Sequence, residues 1–258
     1  MRRHEFIKAI AGSAIWPVGA NAQPSNKPVI GFLSARSAKE SAHLVDAFRK
    51  GLAEHGIVEG QNVTIEYSWA DGQYERLAGQ AIDLLNQQPA VLISVGGDMT
   101  AKAASAATKT TPIVAIFIGD PVVGGFVTSL SRPGGNITGV SNLNAVIEAK
   151  RIGLLRDVKP GITTVGALLN PASITAAPQR KDIEEAARTI GLKVEFLEAK
   201  NEAELESAFK SIVANGIPAL LVPADAFLQL RATALPNWRR KIVSLRFILF
   251  ESPSSRVA

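Results

Sequence analysis

The sequence predicts an α/β protein of two lobes, each a parallel sheet flanked by helices. Three observations carry that expectation. Short apolar runs, such as VIGFLS at 29–34, VLISV at 91–95 and IVAIFI at 113–118, alternate with longer stretches of helical period. Strands buried on both faces beneath crossover helices read this way. The alternation runs to about Asn142 and then starts afresh, and 258 residues are enough for two lobes of roughly 100–130 residues each.

Composition narrows the chemistry. With 47% hydrophobic and 20% charged residues the chain belongs with folded globular proteins. It has no cysteine, which excludes disulfides, thiolate metal sites and cysteine nucleophiles and suits an exported protein that needs no staples. Its three histidines are His4, His43 and His55, too few for a histidine metal centre or catalytic triad. The net charge of +5 sits at the ends. Arg2, Arg3 and Lys8 oppose Glu5 at the start, and Arg239, Arg240, Lys241, Arg246 and Arg256 oppose Glu251 after Pro236. The body between is close to neutral and offers nucleic acid no basic face.

Residues 1–22 read as an export signal, with Arg2-Arg3 as the charged start, a small apolar segment at 9–20 and Ala20-Asn21-Ala22 as the cleavage pattern. The segment is too short for a stable membrane anchor. Two residues separate the arginine pair from Phe6, so a twin-arginine route and the general route both stay open. Residues 23–27 are a polar linker.

A strand at 29–34 opens the first lobe, 28–142. A helix follows over 42–55, with Leu44, Val45, Phe48 and Leu52 on one face and Gly56 as its stop. Next come a strand at 63–69 and a helix at 73–87 with Leu77, Ala81, Leu84 and Leu85 on one side. The strand at 91–95 ends in Gly96-Gly97-Asp98, and a small-residue helix at 100–107 leads to the strand at 113–118 and its terminal Asp120. A short apolar helical turn, the Pro133-Gly134-Gly135 turn and a strand at 137–141 close the series. The second lobe, 143–234, repeats the scheme: helix 148–158 (Ile152, Leu154 and Leu155 apolar), strand 163–169 ending in Asn170-Pro171, helix 178–190, strand 193–197, helix 202–214, and strand 219–222 before Pro223-Ala224-Asp225. No strong internal repeat of residues accompanies the repeated pattern.

Five stretches together carry a family resemblance: VIGFLS at 29–34, FRKGLAE at 48–54, GQNVTIEY at 60–67, GDPV at 119–122 and SRPGGNITGV at 131–140. From residue 28 to about 227 the chain resembles the substrate-binding proteins of ABC transporters, of the tryptophan- and tyrosine-type. The resemblance implies a type I periplasmic-binding fold that closes on a small solute and hands it to a membrane permease. It also implies a longer chain whose last part returns to the first lobe, so the end of the fold is expected to be missing. From about Ala234 the tail ALPNWRRKIVSLRFILFESPSSRVA departs from the family and shows neither strand alternation nor a punctuated helix. We read 235–258 as an aberrant basic tail made by a change of reading frame, because its codons can encode AQLAAKNRIPTIYFIRESVESGG in another frame, a good family continuation. A divergent basic terminus is the alternative, and the coding DNA at position 235 decides between them.

A zwitterionic amino acid held between lobes needs donors for its carboxylate, an acid for its ammonium and apolar walls. Gly97, Asp98 and Thr100 stand where a strand gives way to a helix, so their backbone N–H groups and the Thr100 hydroxyl suit a carboxylate; turn formation and helix capping explain them equally. Asp120 and Asp225 end strands and can each meet an ammonium, or can simply form turns; the family match favours Asp120. Asn170 offers donor and acceptor, or turn punctuation. Ser34 follows the first strand and is a candidate, with Ser37 beside it and Arg36 a solvated loop charge. Trp69 and Tyr74 could stack on a ligand, but packing suits them better. Gly134-Gly135 matches no nucleotide fingerprint.

The resulting expectation is an exported, non-enzymatic, monomeric component of an ABC importer. It takes a small solute, an amino acid or related compound, with a membrane permease as partner and no cofactor, metal or nucleic acid, and the missing end is expected to leave this chain unstable or aggregation-prone and weak in binding. The rival is a small-molecule enzyme on a doubly wound fold using Asp120 or Asp225 as acid or base. Fold alone does not separate the two; the leader and the lack of nucleotide, histidine or cysteine chemistry favour binding.

Overall fold

The computed structural model describes residues 27–141, 145–158, 160–232 and 247–250. The expected signal, most of the linker and most of the tail lie outside these residues. The first sheet contains β1 (Val29–Ser34), β2 (Thr64–Trp69), β3 (Val91–Val95), β4 (Ile113–Phe117) and β5 (Ile137–Ser141). Helices α1 (Ala38–Glu54), α2 (Leu77–Asn86) and α3 (Asp98–Ala107) make the crossovers. The second lobe opens with α4 (Ala145–Val158) and runs β6 (Thr164–Leu169), α5 (Ala176–Thr189), β7 (Lys193–Glu198), α6 (Glu202–Ala214), β8 (Ala219–Val222), α7 (Ala226–Ala232) and β9 (Phe247–Phe250). Every strand pair is parallel.

Strand order is β2-β1-β3-β4-β5 in one sheet and β7-β6-β8-β9 in the other. In each lobe the first strand lies between the second and third. The lobes therefore share a topology that no residue repeat betrays, because a right-handed crossover needs only the strand–helix pattern.

Local chemistry moves several boundaries. Helix α1 starts four residues earlier than its apolar pattern, because Ser37 caps it: the Ser37 hydroxyl oxygen accepts from Glu40 N and donates to Glu40 Oε2 at 3.0 Å. Such a reciprocal cap is worth about 1 kcal/mol. The segment after Asp120 is a turn closed by Gly124 N to Asp120 O at 2.8 Å, not a helix. The tail, expected to lack a strand, carries β9, which pairs with β8 from Ala219↔Phe247 to Val222↔Phe250. Alternation was the wrong test there, since strands in parallel sheets are continuous apolar runs and FILF is one.

In the first lobe α2 and α3 cover one face of the sheet, packing Leu77, Leu84, Ala101 and Ala104 on Leu33, Leu92 and Phe117. Helix α1 covers the other, placing Val45, Phe48 and Leu52 on Ile30, Phe32 and Ile65. Its reach stops short of β4 and β5. Register puts Val114 beside Ile93, and Ile116 beside Val140, so these side chains share α1's face. Yet Val114, Ile116 and Val140 are 38%, 39% and 63% exposed. In the second lobe α4 and α5 cover one face and α6 the other. Leu154, read as apolar packing, is 53% exposed. Among the described residues no helix is long and apolar enough to cross a membrane.

Among the described residues β5 is the last strand of its sheet, and an exposed apolar face beside a strand edge favours self-association. Val140→Lys is expected to reduce concentration-dependent association of residues 23–258 in sedimentation velocity. Stability should change by no more than about 0.5 kcal/mol, as for other exposed sites. Unaltered association would show that this face is not the adhesive one.

Candidate functional site

Parallel pairing sends the carboxyl ends of all strands in a sheet to one side, where ligands of open α/β sheets bind. The two lobes meet on that side. Tyr74, on the turn after β2, donates its hydroxyl across the junction to Asp225 Oδ2 at 2.7 Å. Ala226, next to Asp225, joins the core cluster of the first lobe. A Cβ placed on Gly119 would lie 2.8 Å from Asp98 Oδ2 and 3.7 Å from Thr175 Cγ2, so Gly119, next to Asp98, also lies beside Thr175 of the second lobe.

Asp225 is the most enclosed acid of this junction, at 3% exposure. Besides Tyr74, its carboxylate accepts from Leu228 N at 2.9 Å and from Asn170 Nδ2 at 3.2 and 3.4 Å. All these donors are neutral. Among the described residues no lysine or arginine forms an ion pair with it. Burial raises its pKa, and the hydrogen bonds from Tyr74, Leu228 and Asn170 oppose the rise. Burial, and then the charge of Asp225, push the Tyr74 hydroxyl well above its ordinary pKa, so it remains a donor. Hydrogen bonds to a charged group are worth about 1.5–3 kcal/mol each.

Asp98 is the second buried acid, 7% exposed. Its Oδ1 accepts from Ile118 N at 2.9 Å and its Oδ2 from Gly119 N at 3.1 Å, tying the start of α3 to the end of β4. Burial raises its pKa against those two bonds. Gly97 adopts φ +101°, ψ −169°, a region open essentially to glycine, and a Cβ there would come within 2.5 Å of Ile118 Cδ1. Thr100 is fully buried, and its hydroxyl donates to Gly97 O at 2.6 Å and Val95 O at 3.1 Å, closing the same turn.

The remaining candidates lie as follows. Asn170, besides reaching Asp225, accepts from Ala172 N at 3.0 Å. Ser34 is fully buried, its Oγ accepting from Arg36 N at 3.1 Å. Asp120 is exposed and its Oδ1 accepts from Val122 N at 2.8 Å and Val123 N at 3.3 Å, the geometry of a turn-capping aspartate. Trp69 packs with Phe32 and Tyr67, at ring distances of 5.5 and 6.0 Å. The fold thus brings Asp98, Asn170 and Asp225 to the junction together with Tyr74, whose hydroxyl points at an acid.

Two supports escaped the sequence reading. Gln179 Nε2 donates to Ala224 O at 3.0 Å. Arg151, itself buried, donates to Glu148 at 3.0 Å and to Val222 O at 3.0 Å, bracing the chain just before Asp225. A signal existed: residues 148, 151, 152 and 155 share one face of α4, so the pair interrupts the apolar stripe of Ile152 and Leu155. A separate groove lined by Thr163, Lys193, Glu195 and Asn215 opens at the amino ends of β6 and β7, away from the junction. Among the described residues no group of His, Asp or Glu side chains could hold a metal ion.

Residues 29–229 match the model of the family described as ABC transporter substrate binding protein. The chain belongs to that family. It is a family of solute-binding proteins rather than enzymes. The chain is 26% identical over 178 residues to a tyrosine-binding protein of Clostridioides difficile (strain R20291), an alignment covering 69% of this chain and 50% of that protein. It thus spans about half the length of this curated relative. Among solved structures it resembles the ABC domain in complex with L-Trp from Streptococcus pneumonia, with a TM-score of 0.75 and 24% identity over 88% of this chain and 75% of that one. It also resembles the ligand-free, open structure of a substrate binding protein with adhesive properties from Clostridium difficile, with a TM-score of 0.55 and 25% identity over 85% and 73% of the two chains. The fold is the two-lobed type I periplasmic-binding fold.

The buried acids set a pH dependence. Burial lifts the folded-state pKa of Asp225 above its ordinary 3.8, so the stability linked to this group is greatest below that ordinary value and is lost as pH rises through the raised pKa. Against Asp225→Asn, wild type should therefore gain relative stability in urea titrations as pH is lowered from 7 toward 4.5. Asp98 is common to both proteins and cancels. A difference that stays flat, or favours the variant on acidification, would contradict this linkage.

Proposed function

We infer that this chain is the exported solute-binding component of an ABC importer, taking an amino acid or a closely related compound between its lobes and presenting it to a membrane permease. One observation carries the choice of solute. Asp98 and Asp225 are buried acids at the lobe junction, satisfied by neutral donors, with no cationic side chain paired to either among the described residues. A buried carboxylate is costly without a counter-charge, and the ammonium of an amino acid would supply one. Asp225 is the favoured partner because Asn170 and Tyr74 orient it. Backbone N–H groups of the turn around Gly97 would receive the solute carboxylate. The relatives whose names carry tyrosine and L-Trp are consistent with an amino acid, and the leader with export.

Closure follows from the same contacts. A solute that touches both lobes binds the closed form better and shifts the population toward it. The reaction asked of the protein is binding and release; Asp98, Asn170 and Asp225 serve as ligands rather than as acid or base, and the protein acts as a monomer.

The test is thermal unfolding of residues 23–258 with and without a panel of the common amino acids. At a concentration one hundred times Kd, a solute should stabilise the protein by about 2.7 kcal/mol. An aromatic amino acid is expected to give the largest shift. If no amino acid raises the melting temperature while some uncharged or purely anionic solute does, the ammonium assignment is wrong.

A further inference from the structure

We propose that Tyr74 is a positioning residue for the solute site, its hydroxyl holding the Asp225 carboxylate in register for the solute while tying the unliganded lobes together. The role assigned to the carboxylate rests on the function proposed above; the tie between lobes stands independently. The geometry separates the two carboxylate oxygens. Oδ1 is held by Leu228 N at 2.9 Å and Asn170 Nδ2 at 3.2 Å, both from the second lobe. Neither bond depends on a residue of the first lobe. Oδ2 receives Tyr74 Oη at 2.7 Å, from the first lobe, and the long 3.4 Å approach of Asn170 Nδ2. The Tyr74 contact has the length of a well-formed hydroxyl hydrogen bond.

Opening the lobes removes the strongest donor from Oδ2 and leaves water to replace it. The tie therefore biases the protein toward the closed arrangement before any solute arrives. Because apparent affinity scales with the competent fraction, the bias sharpens binding without contacting the solute. A carboxylate has about four acceptor positions, so Oδ2 can keep Tyr74 and still receive an ammonium. Tyr74 is suited to this because its ring packs against the first lobe's core, with Leu77 and Ala226 in the same cluster. Removing the hydroxyl alone leaves that packing in place.

The experiment compares wild type, Tyr74→Phe, Asp225→Asn and, as a control, Tyr67→Phe, whose hydroxyl lies beside Arg49 and Glu59 within the first lobe. Tyr74→Phe is expected to raise the Kd for the best amino acid about tenfold, through faster dissociation, and to increase the radius of gyration of the unliganded protein in small-angle scattering. Asp225→Asn keeps an acceptor for Tyr74 but loses the charge, so it should weaken binding with little change in radius. Tyr67→Phe should alter neither. A merely structural Tyr74 would lower the melting temperature and leave dissociation rate and radius unmoved, which overturns the proposal. If wild type binds no amino acid, the solute assignment fails, while the radius comparison still decides the tie. Should Tyr74→Phe not fold, wild type carrying Glu54→Cys and Glu185→Cys answers instead, the chain having no cysteine of its own. Spin-label distances with a dominant short population support the tie, and an open majority overturns it.

Discussion

Parallel strand pairing is the constraint from which the rest follows. Each pair in both sheets is parallel, so every return of the chain needs a crossover and every carboxyl end of a sheet faces the same way. The loops after β1, β2, β3 and β4 are gathered at one end of the first sheet, and those after β6 and β8 at one end of the second. Tyr74, Asp98, Asn170 and Asp225 are separated by up to 151 positions in sequence, yet this rule makes them neighbours.

Within that frame the junction is governed by the burial of charge. Asp225 would be a liability on its own, since a carboxylate taken out of water costs several kcal/mol. Neutral donors offset part of that, and one of them, Tyr74, comes from the opposite lobe. The interior thus uses a polar contact where a wholly apolar junction would close just as well. A polar junction remains reversible and can still favour a cationic guest, whereas an apolar one would favour permanent closure. Arg151 and Gln179 brace the 222–225 segment from behind, which fixes the position of the acid.

Much of the fold was legible because parallel strands and amphipathic helices write their periods into the chain. The strand at 29–34 and the one at 91–95 were read at the residues where they occur. Helix starts were less legible, since α1 begins at a Ser37–Glu40 cap that lies outside its apolar stripe. The strand at Phe247–Phe250 was missed because a short apolar run has no alternation to find. Of the candidate site, Asp98, Asn170 and Asp225 are legible as polar residues ending strands or opening a helix. Asp120 looked the same in sequence but sits on an exposed turn capping Val122 and Val123. The difference lies in which side chains find covered surroundings, and no local pattern encodes that.

What the sequence by itself determined is the α/β class, the two successive series and the residue types available for chemistry, because hydrophobic period and composition are local properties. Only the tertiary structure decided that Tyr74 and Asp225 meet, that Gly119, held by Asp98, lies beside the second lobe and that the β4–β5 face stands exposed. Those outcomes depend on sheet order and on how far one helix reaches across a sheet, and such distances exist only once the chain has folded.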